Sequence, residues 1–267
     1  MHGHVMTRRM ETTQRPIVQP TVSPRCMLIT GAAKRVGAAI AEHFAAQGWN
    51  LVLHYHQSAT AAQALAERLQ RDHGITVQLV QADLSDSAVL GDFWRALPAC
   101  DAFVHSAATF ERDTLASMQP AVLQQQMQVN FTTPLLLAQG FMQQLPEHAG
   151  AGNIILLGDG VMGWSISPEF FSYSISKQAW LGALDVLAAA CAPRAKVNLL
   201  ALAPTIPGVM DGPDTFDRLA ARAPLQRTGQ PDEVCAAIDY LLHAPGVTGQ
   251  VLSLAAGAHL QSYRQGA

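Results

Sequence analysis

The sequence predicts one α/β domain, built on a doubly wound parallel sheet with helices on both faces. Short apolar segments alternate with longer segments rich in Ala, Leu and Gln, residues that favour helix. The short segments are apolar throughout, which indicates strands buried on both faces, as in a parallel sheet covered by helices. No repeat or linker interrupts the chain after residue 25. This order of elements is typical of a Rossmann-like sheet, whose ligands lie beyond the carboxyl ends of the strands.

The apolar segments give seven predicted strands and the segments between them give six predicted helices. The strands are expected at Cys26–Thr30, Asn50–Tyr55, Thr76–Val80, Ala102–His105, Asn153–Leu157, Val197–Leu202 and Gln250–Leu254. The helices are expected at Lys34–Gln47, Ala59–Asp72, Asp86–Leu97, Pro120–Gln143, Tyr173–Ala192 and Pro231–His243. The stretch Thr205–Arg222, rich in Gly, Pro and Asp, is expected to be a loop at the outer wall of the site. Residues 1–24 contain three prolines and no apolar core of a secretory signal, so they are expected to be a flexible tail outside the domain at 25–267.

Composition excludes several classes of protein. The 267 residues are 49% hydrophobic and 14% charged, and that charged share lies below the usual ~25%, so a large core is expected and a disordered chain is excluded. A net charge of −3 argues against nucleic-acid binding. The longest apolar run, Val186–Ala192, is far shorter than the ~20 residues of a membrane span. The four cysteines are widely separated, which favours buried thiols in a reducing, cytoplasmic compartment and predicts no metal site.

A glycine-containing turn follows the first predicted strand and opens the first predicted helix. It reads Thr30-Gly31-Ala32-Ala33-Lys34-Arg35-Val36-Gly37. Glycine permits a tight turn, and the N–H groups and partial positive charge of a helix N-terminus suit a pyrophosphate, so the turn predicts a dinucleotide site. Arg35 replaces the usual middle glycine. It could clamp phosphate or lie over a flat ring, or it could simply be solvated.

The end of the second predicted strand indicates which dinucleotide binds. The segment His54-Tyr55-His56-Gln57-Ser58 contains no Asp or Glu. An acidic residue there would bind a ribose 2′-hydroxyl and repel a 2′-phosphate, so its absence favours NADPH, with Lys34 and Arg35 adding charge; an ordinary polar loop is the alternative. Asp83, after the third strand, could bind the adenine amino group or could be a turn residue.

Tyr173 and Lys177 form a YxxxK pair on one face of the fifth predicted helix. An adjacent ammonium favours the phenolate, so Lys177 is expected to lower the pKa of Tyr173. Such a phenol could give or take a proton, and Lys177 could also bind the nicotinamide ribose. An exposed surface pair is the alternative.

Three further residues could complete the site: Phe110 follows the fourth predicted strand, Asp159 ends the segment of the fifth, and Asn130 precedes a helical run. Asn130 could hold a water that relays protons to Lys177, or it could mark a helix kink. Asp159 could accept hydrogen bonds from an amino-pyrimidine or from Tyr173, or it could be a turn residue. Phe110 could stack on a flat heterocycle or anchor its loop. Trp164, Phe170 and Phe171 lie between Asp159 and Tyr173 and are expected to form part of the pocket wall. Packing against the core is the alternative for at least one of them.

These motifs together resemble the short-chain dehydrogenase/reductase family over about residues 27–260. Within it the chain is most similar to the pteridine reductase and dihydromonapterin reductase branch, through TGAAKRVG, HYHQS, Phe110 and Asp159. The resemblance implies NADPH-dependent reduction of a dihydropterin, a biopterin-like pterin or dihydrofolate, in folate metabolism, by a homotetramer or homodimer. It implies hydride delivery to a ring C=N carbon and a proton supplied either by Tyr173, assisted by Lys177 and Asp159, or by a water.

The same resemblance implies a set of binding residues. The cofactor site would comprise Gly31, Lys34, Arg35, Val36, Gly37, His56, Gln57, Ser58, Asp83, Leu84, Ser106, Ala107, Tyr173, Lys177 and Pro204. The substrate site would comprise Arg35, Phe110, Asp159 and Tyr173, and the catalytic set Tyr173, Lys177, Asp159 and Asn130.

The chain departs from the branch at several positions. Ser106 and Ala108 replace an Asn and a Ser, and Gln57 replaces an Arg that holds the 2′-phosphate. Asp159 lies one residue farther from Tyr173 than is usual. The alternative function is therefore reduction of a small ketone, a sugar or an acyl-carrier substrate. Asp159 argues against it, because a carboxylate donates a hydrogen bond only when protonated. A regulator that binds NADPH without turnover is a third hypothesis.

Overall fold

The structure is a computed structural model. It describes residues 25–147, 150, 152–160, 168–207, 212, 214–258 and 260. The expected tail at 1–24, Trp164, and positions 208–211 and 213 of the expected outer loop lie outside the described residues.

Seven parallel strands form one sheet, which confirms the predicted fold class. Their order across the sheet is β3-β2-β1-β4-β5-β6-β7. The chain therefore winds outward twice from the centre, first through β1–β3 and then through β4–β7. The strands are β1 Cys26–Thr30, β2 Asn50–Tyr55, β3 Val77–Gln81, β4 Ala102–His105, β5 Gly152–Asp159, β6 Ala195–Leu202 and β7 Val251–Leu254.

Eight α-helices connect these strands within the described part of the chain. They are α1 Arg35–Ala46, α2 Ala59–His73, α3 Leu90–Arg95, α4 Pro120–Met127, α5 Thr133–Gln144, α6 Phe171–Cys191, α7 Thr215–Arg222 and α8 Pro231–His243. The predicted third helix is a 3₁₀ turn at Ser87–Val89 followed by the short α3. The predicted fourth helix is two helices joined by a π turn at Gln128–Thr132. The expectation of a loop throughout Thr205–Arg222 was wrong, because α7 forms its second half.

The core has two layers, one on each face of the sheet. Leu28 and Phe103 pack with Phe141 on one face, while Ile29 packs with Phe44 on the other. All five residues of β1 are buried. Burial of both faces leaves the loops at the strand ends as the accessible part of the sheet, which is where a ligand site can form. No helix in the described ranges has the length and apolar character needed to cross a membrane.

Candidate active site

The turn after β1 depends on two glycines. Gly31 has a φ of +64°, and a Cβ there would lie 2.8 Å from the Cα of Ala107. A Cβ on Gly37 would lie 2.3 Å from the carbonyl oxygen of Gly31. Helix α1 begins directly after this turn, so its unpaired first-turn N–H groups lie at the carboxyl edge of the sheet. The turn thus has the tight backbone and the helix terminus that suit a pyrophosphate.

Arg35 links this turn to the segment that follows β6. Its φ is +56°, a left-handed conformation that is costly for any residue with a Cβ and explains why glycine is usual there. The guanidinium donates hydrogen bonds to the carbonyl oxygens of Ile206 at 2.7 Å and Pro207 at 3.2 Å. The side chain therefore spans two loops of the carboxyl edge. Its roles toward phosphate and a flat ring stay predictions.

His54, which the sequence reasoning did not single out, supports the same turn from β2. Its ring is buried, and burial lowers its pKa to about 4, so the imidazole is neutral near pH 7. Nδ1 accepts the backbone N–H of Gly31 at 3.2 Å, and Nε2 then donates to the carbonyl oxygen of Ala82 at 3.1 Å. One neutral ring thereby joins the ends of three strands.

A second buried histidine lies at the end of β4. The hydroxyl oxygen of Thr30 accepts the backbone N–H groups of Ser106 at 3.1 Å and Ala107 at 3.2 Å, and it lies 3.0 Å from Nδ1 of His105. Burial and the charge of Lys177 lower the pKa of His105 to about 3, so the imidazole beside the Thr30 hydroxyl is neutral near pH 7. This network fixes Ser106 and Ala107, two predicted cofactor residues, beside Gly31.

The loops after β2 and β3 bring His56 and Asp83 together. Nε2 of His56 lies 3.6 Å from Oδ2 of Asp83, and both side chains are about half exposed. Oδ1 of Asp83 accepts the N–H and the hydroxyl of Ser85, and these two bonds are the main reason why the pKa of Asp83 is lowered. Asp83 is thus a turn residue through Oδ1, while its Oδ2 lies near His56. Its contact with adenine remains a prediction.

The other predicted cofactor residues border the same edge. Ser58 immediately precedes α2, and its carbonyl oxygen accepts the N–H of Ala62. The side chain of Leu84 is buried in the core and its carbonyl oxygen accepts the hydroxyl of Thr133, so only its backbone borders the edge. Four more of the predicted cofactor residues have exposed or half-exposed side chains at the carboxyl edge of the sheet: Lys34, Val36, Gln57 and Pro204.

Tyr173 and Asp159 form the central pair of the site. The phenol of Tyr173 donates to Oδ2 of Asp159 at 2.6 Å. Burial, followed by the negative charge of Asp159, raises the pKa of Tyr173 well above its usual value. The expectation that Lys177 would lower this pKa is therefore wrong for the structure described, because desolvation and the carboxylate dominate.

Lys177 lies one helical turn after Tyr173 and is buried. Its Nζ donates to the carbonyl oxygen of Leu157 at 3.1 Å and lies 5.8 Å from the centroid of the Tyr173 ring. Burial lowers the pKa of Lys177 to about 8, although the charge of Asp159 opposes that change. The ammonium group of Lys177 therefore loses its proton as the pH rises through about 8.

Asn130 lies in the π turn between α4 and α5, as the helix-kink alternative predicts. Its Oδ1 accepts the N–H of Thr109 at 3.0 Å, and its Nδ2 donates to the carbonyl oxygen of Thr109 and to the hydroxyl of Ser176, each at 3.0 Å. Trp180 donates to its carbonyl oxygen. Asn130 therefore ties the loop after β4 to α6, and a proton relay through it stays a prediction.

Phe110 forms an aromatic wall beside this pair. It is 47% exposed, its ring stacks on Phe170 with centroids 4.3 Å apart, and it meets the Tyr173 ring edge-on at 4.6 Å. One face of the Phe110 ring is thus covered by Phe170, about half of the residue is exposed, and its stacking on a flat heterocycle stays a prediction. Asp113 also ties this loop to α6. The sequence gives no sign of its role, because its partners lie about sixty residues away.

Comparison with known proteins decides the family. A family model described as enoyl-(acyl carrier protein) reductase matches residues 31–259. The chain belongs to the short-chain dehydrogenase/reductase family. Among the members of this family, a dihydromonapterin reductase of Shigella boydii is 29% identical over 245 residues, which cover 89% of this chain and 98% of that protein. An uncharacterized oxidoreductase of Bacillus subtilis is 29% identical over 243 residues, covering 87% and 98%.

A solved short-chain reductase has the same fold. The crystal structure of FolM alternative dihydrofolate reductase 1 from Brucella suis in complex with NADP is 32% identical, with a TM-score of 0.79, and the match covers 88% of this chain and 95% of that one. As a member of this family, the protein is an oxidoreductase.

Proposed function

We propose that the protein reduces a pterin of the dihydromonapterin, dihydrobiopterin or dihydrofolate type, with NADPH as the reductant. The observation that carries the proposal is the carboxylate of Asp159 on the phenol of Tyr173, beside the half-exposed ring of Phe110. A pterin offers a flat ring to stack on the wall and an amino-pyrimidine edge to donate hydrogen bonds to the carboxylate. Relatives named for dihydromonapterin and dihydrofolate reduction support the same class of substrate.

The residues at the carboxyl edge fit the cofactor. Gly31 lets the first turn pack closely against Ala107, and Gly37 lets the start of α1 pack closely against the carbonyl oxygen of Gly31, because a Cβ at either position would collide with that backbone. The first turn of α1 would bind the pyrophosphate, and the loop at 56–58, which has no carboxylate, would take the 2′-phosphate end. Lys177 would bind the nicotinamide ribose. When bound, NADPH supplies the hydride.

The protein's own groups handle the proton. Because the pKa of Tyr173 is raised, the phenol keeps its proton at neutral pH, and in this proposal Oη would donate that proton to a ring nitrogen of a substrate stacked on Phe110. Asp159 orients the hydroxyl and accepts N–H groups from the substrate. A protonated Lys177, 5.8 Å from the phenol ring, stabilises the phenolate that forms once the proton has left.

The direct test is turnover. The purified full-length chain should consume NADPH with a dihydropterin, and the product should be the pterin carrying two more hydrogens. A panel of small ketones and sugars provides the comparison. Absence of turnover with every pterin would contradict the proposal.

Carbonyl reduction is the second candidate, and the protonated state of Tyr173 favours it, since a neutral phenol can donate to a ketone oxygen. Against it, the carboxylate of Asp159 beside this phenol can accept the N–H groups of a pterin but offers no hydrogen-bond donor to a ketone. Faster reduction of a ketone than of any pterin would favour this candidate.

We also propose that the protein assembles as a homotetramer or homodimer, as the resemblance implies. Leu181 and Val186 on α6 are 50% and 70% exposed, and a contact between copies of the chain through α6 would remove such apolar side chains from water. Light scattering of the purified chain would give its mass in solution, and a monomer would contradict this proposal.

A further inference from the structure

Asp113 is a buried carboxylate in the loop that follows β4, three residues after Phe110. It is only 6% exposed. Its Oδ1 accepts the backbone N–H of Ser172 at 2.9 Å, and its Oδ2 accepts the hydroxyl of the same residue. Ser172 directly precedes Tyr173. Both carboxylate oxygens of Asp113 therefore accept hydrogen bonds from Ser172, the neighbour of the proposed proton donor Tyr173.

The backbone of Asp113 adds two further hydrogen bonds to the same segment. Its N–H donates to the carbonyl oxygen of Glu169 at 3.1 Å, and its carbonyl oxygen accepts the N–H of Phe171 at 3.1 Å. Asp113 and Phe170 thereby form a short parallel β-bridge. One residue of the β4 loop thus makes four hydrogen bonds to the segment that enters α6.

Helix α6 has no cap of its own. Phe170, the residue at its N-cap, makes no side-chain cap, and the first turn contains no acidic residue. The first N–H groups of a helix lack partners within it, and a negative charge near them is favourable. Asp113 supplies both the acceptor and the charge from a different loop.

We propose that Asp113 is a positioning residue, whose carboxylate fixes the start of α6 and thereby holds the phenol of Tyr173 against the wall of Phe110. The 4.6 Å contact between the two rings is the geometry that it maintains. The proposal rests on Tyr173 as the proton donor, and it applies equally to a pterin and to a ketone. Asp113 acts only through Ser172 and the bridge, so the shape of its side chain matters and its charge matters less.

Two substitutions separate shape from charge. Asp113→Ala removes both acceptors. Asp113→Asn keeps an oxygen for the N–H of Ser172 and offers an amide N–H to its hydroxyl. The first readout is hydrogen exchange of the backbone amides at 169–177, followed by mass spectrometry on the full chain without substrate. The second is kcat for reduction, measured together with the Kd for NADPH.

Asp113→Ala should speed exchange at 169–177 by about tenfold or more, because the N–H and the hydroxyl of Ser172 lose their hydrogen-bond acceptors at the start of α6. It should lower kcat by about 10- to 100-fold, the effect of a small displacement of a catalytic group. The Kd for NADPH and the exchange of the β1 and β4 amides should stay within about threefold of the parent. Asp113→Asn should restore both exchange and kcat to within about threefold.

Two results would overturn the proposal: unchanged exchange in Asp113→Ala, or an Asp113→Asn chain as impaired as Asp113→Ala. Should Asp113→Ala fail to fold, Ser172→Ala, which removes only the hydroxyl contact, should give a smaller increase in exchange and a smaller loss of kcat; no change in either would count against Asp113. Exchange needs no substrate. A parent chain that turned over no pterin would therefore contradict the proposed function, while the exchange result would still decide the role of Asp113.

Discussion

Tyr173 is held as a neutral phenol by two features of its surroundings, burial and the carboxylate of Asp159. The YxxxK spacing in the sequence predicts the pairing with Lys177. It does not predict which neighbour controls the phenol, because desolvation and a partner fourteen residues away are properties of the folded chain. The motif thus predicted that the two side chains lie close together, as their 5.8 Å separation shows, and gave the direction of the pKa change of Tyr173 wrongly.

Tyr173→Phe should lower kcat by ~10²–10⁴-fold, since it removes a general acid and leaves the aromatic contact with Phe110 in place. The Kd for NADPH, measured by fluorescence titration, should change little. A variant with more than a tenth of the parent's kcat would show that another group supplies the proton.

Asp159→Asn should separate the two candidate functions. Asn keeps an oxygen that can accept from Tyr173 but loses the charge toward a substrate N–H, and a hydrogen bond to a charged group contributes about 1.5–3 kcal/mol. We expect kcat/KM for a dihydropterin to fall by about 10- to 100-fold. We expect reduction of ketones to be unchanged or faster. Equal losses for both substrate classes would contradict a pterin-specific role of this carboxylate.

The pH dependence of turnover should report Lys177. Burial lowers its pKa from the usual 10.5 to about 8, so the ammonium is present below about pH 8 and is lost as the pH rises above it. Turnover should therefore decline through that range, and Tyr173 cannot cause this decline because its pKa is raised. Lys177→Arg, whose charge persists, should show lower activity without that decline. A profile that is flat to pH 10 in the parent chain would contradict this assignment.

At the scale of elements, the strands were predicted most closely. Five of the seven have the predicted bounds within one residue at each end, because continuous apolar runs bounded by polar turns define buried strands. The π turn at Gln128–Thr132 was not predicted, since its cause is tertiary: Asn130 bonds to Thr109 and Ser176. Helix α7 was missed because its apolar stripe of Phe216, Leu219 and Ala220 spans only eight residues of helix within a segment rich in Gly, Pro and Asp, and none of its residues is fully buried.

The first turn offers a test at the scale of an element. Gly37→Ala would place a Cβ 2.3 Å from the carbonyl oxygen of Gly31, so the turn and the start of α1 must move. We expect NADPH affinity to fall by at least about tenfold and the thermal midpoint to drop. Gly91→Ala in α3 is the matched control, since its Cβ would meet only the tip of Arg95 at 3.9 Å. It should bind NADPH like the parent chain, and a similar loss in both variants would contradict a specific role for the turn.

At the scale of the whole molecule, the fold and the edge that carries the site followed from the sequence, whereas the supports of that site did not. Parallel strands end at one edge, so residues after β1, β2, β3, β4 and β5 had to lie near one another. His54, His105 and Asp113 fix those loops, yet each bonds to partners far along the chain. No local sequence pattern predicts such residues, because the role of a buried polar side chain becomes evident only when its hydrogen-bond partners in the folded chain are known.

The most direct test of the central claim is a crystal structure of the full chain with NADPH and a pterin-like inhibitor. The account predicts that the pterin ring stacks on Phe110 beside the nicotinamide, with its amino-pyrimidine edge within about 2.7–3.2 Å of an Asp159 oxygen. A ring bound away from Phe110, or an Asp159 side chain turned into solvent, would contradict pterin reduction and leave a reductase of another substrate.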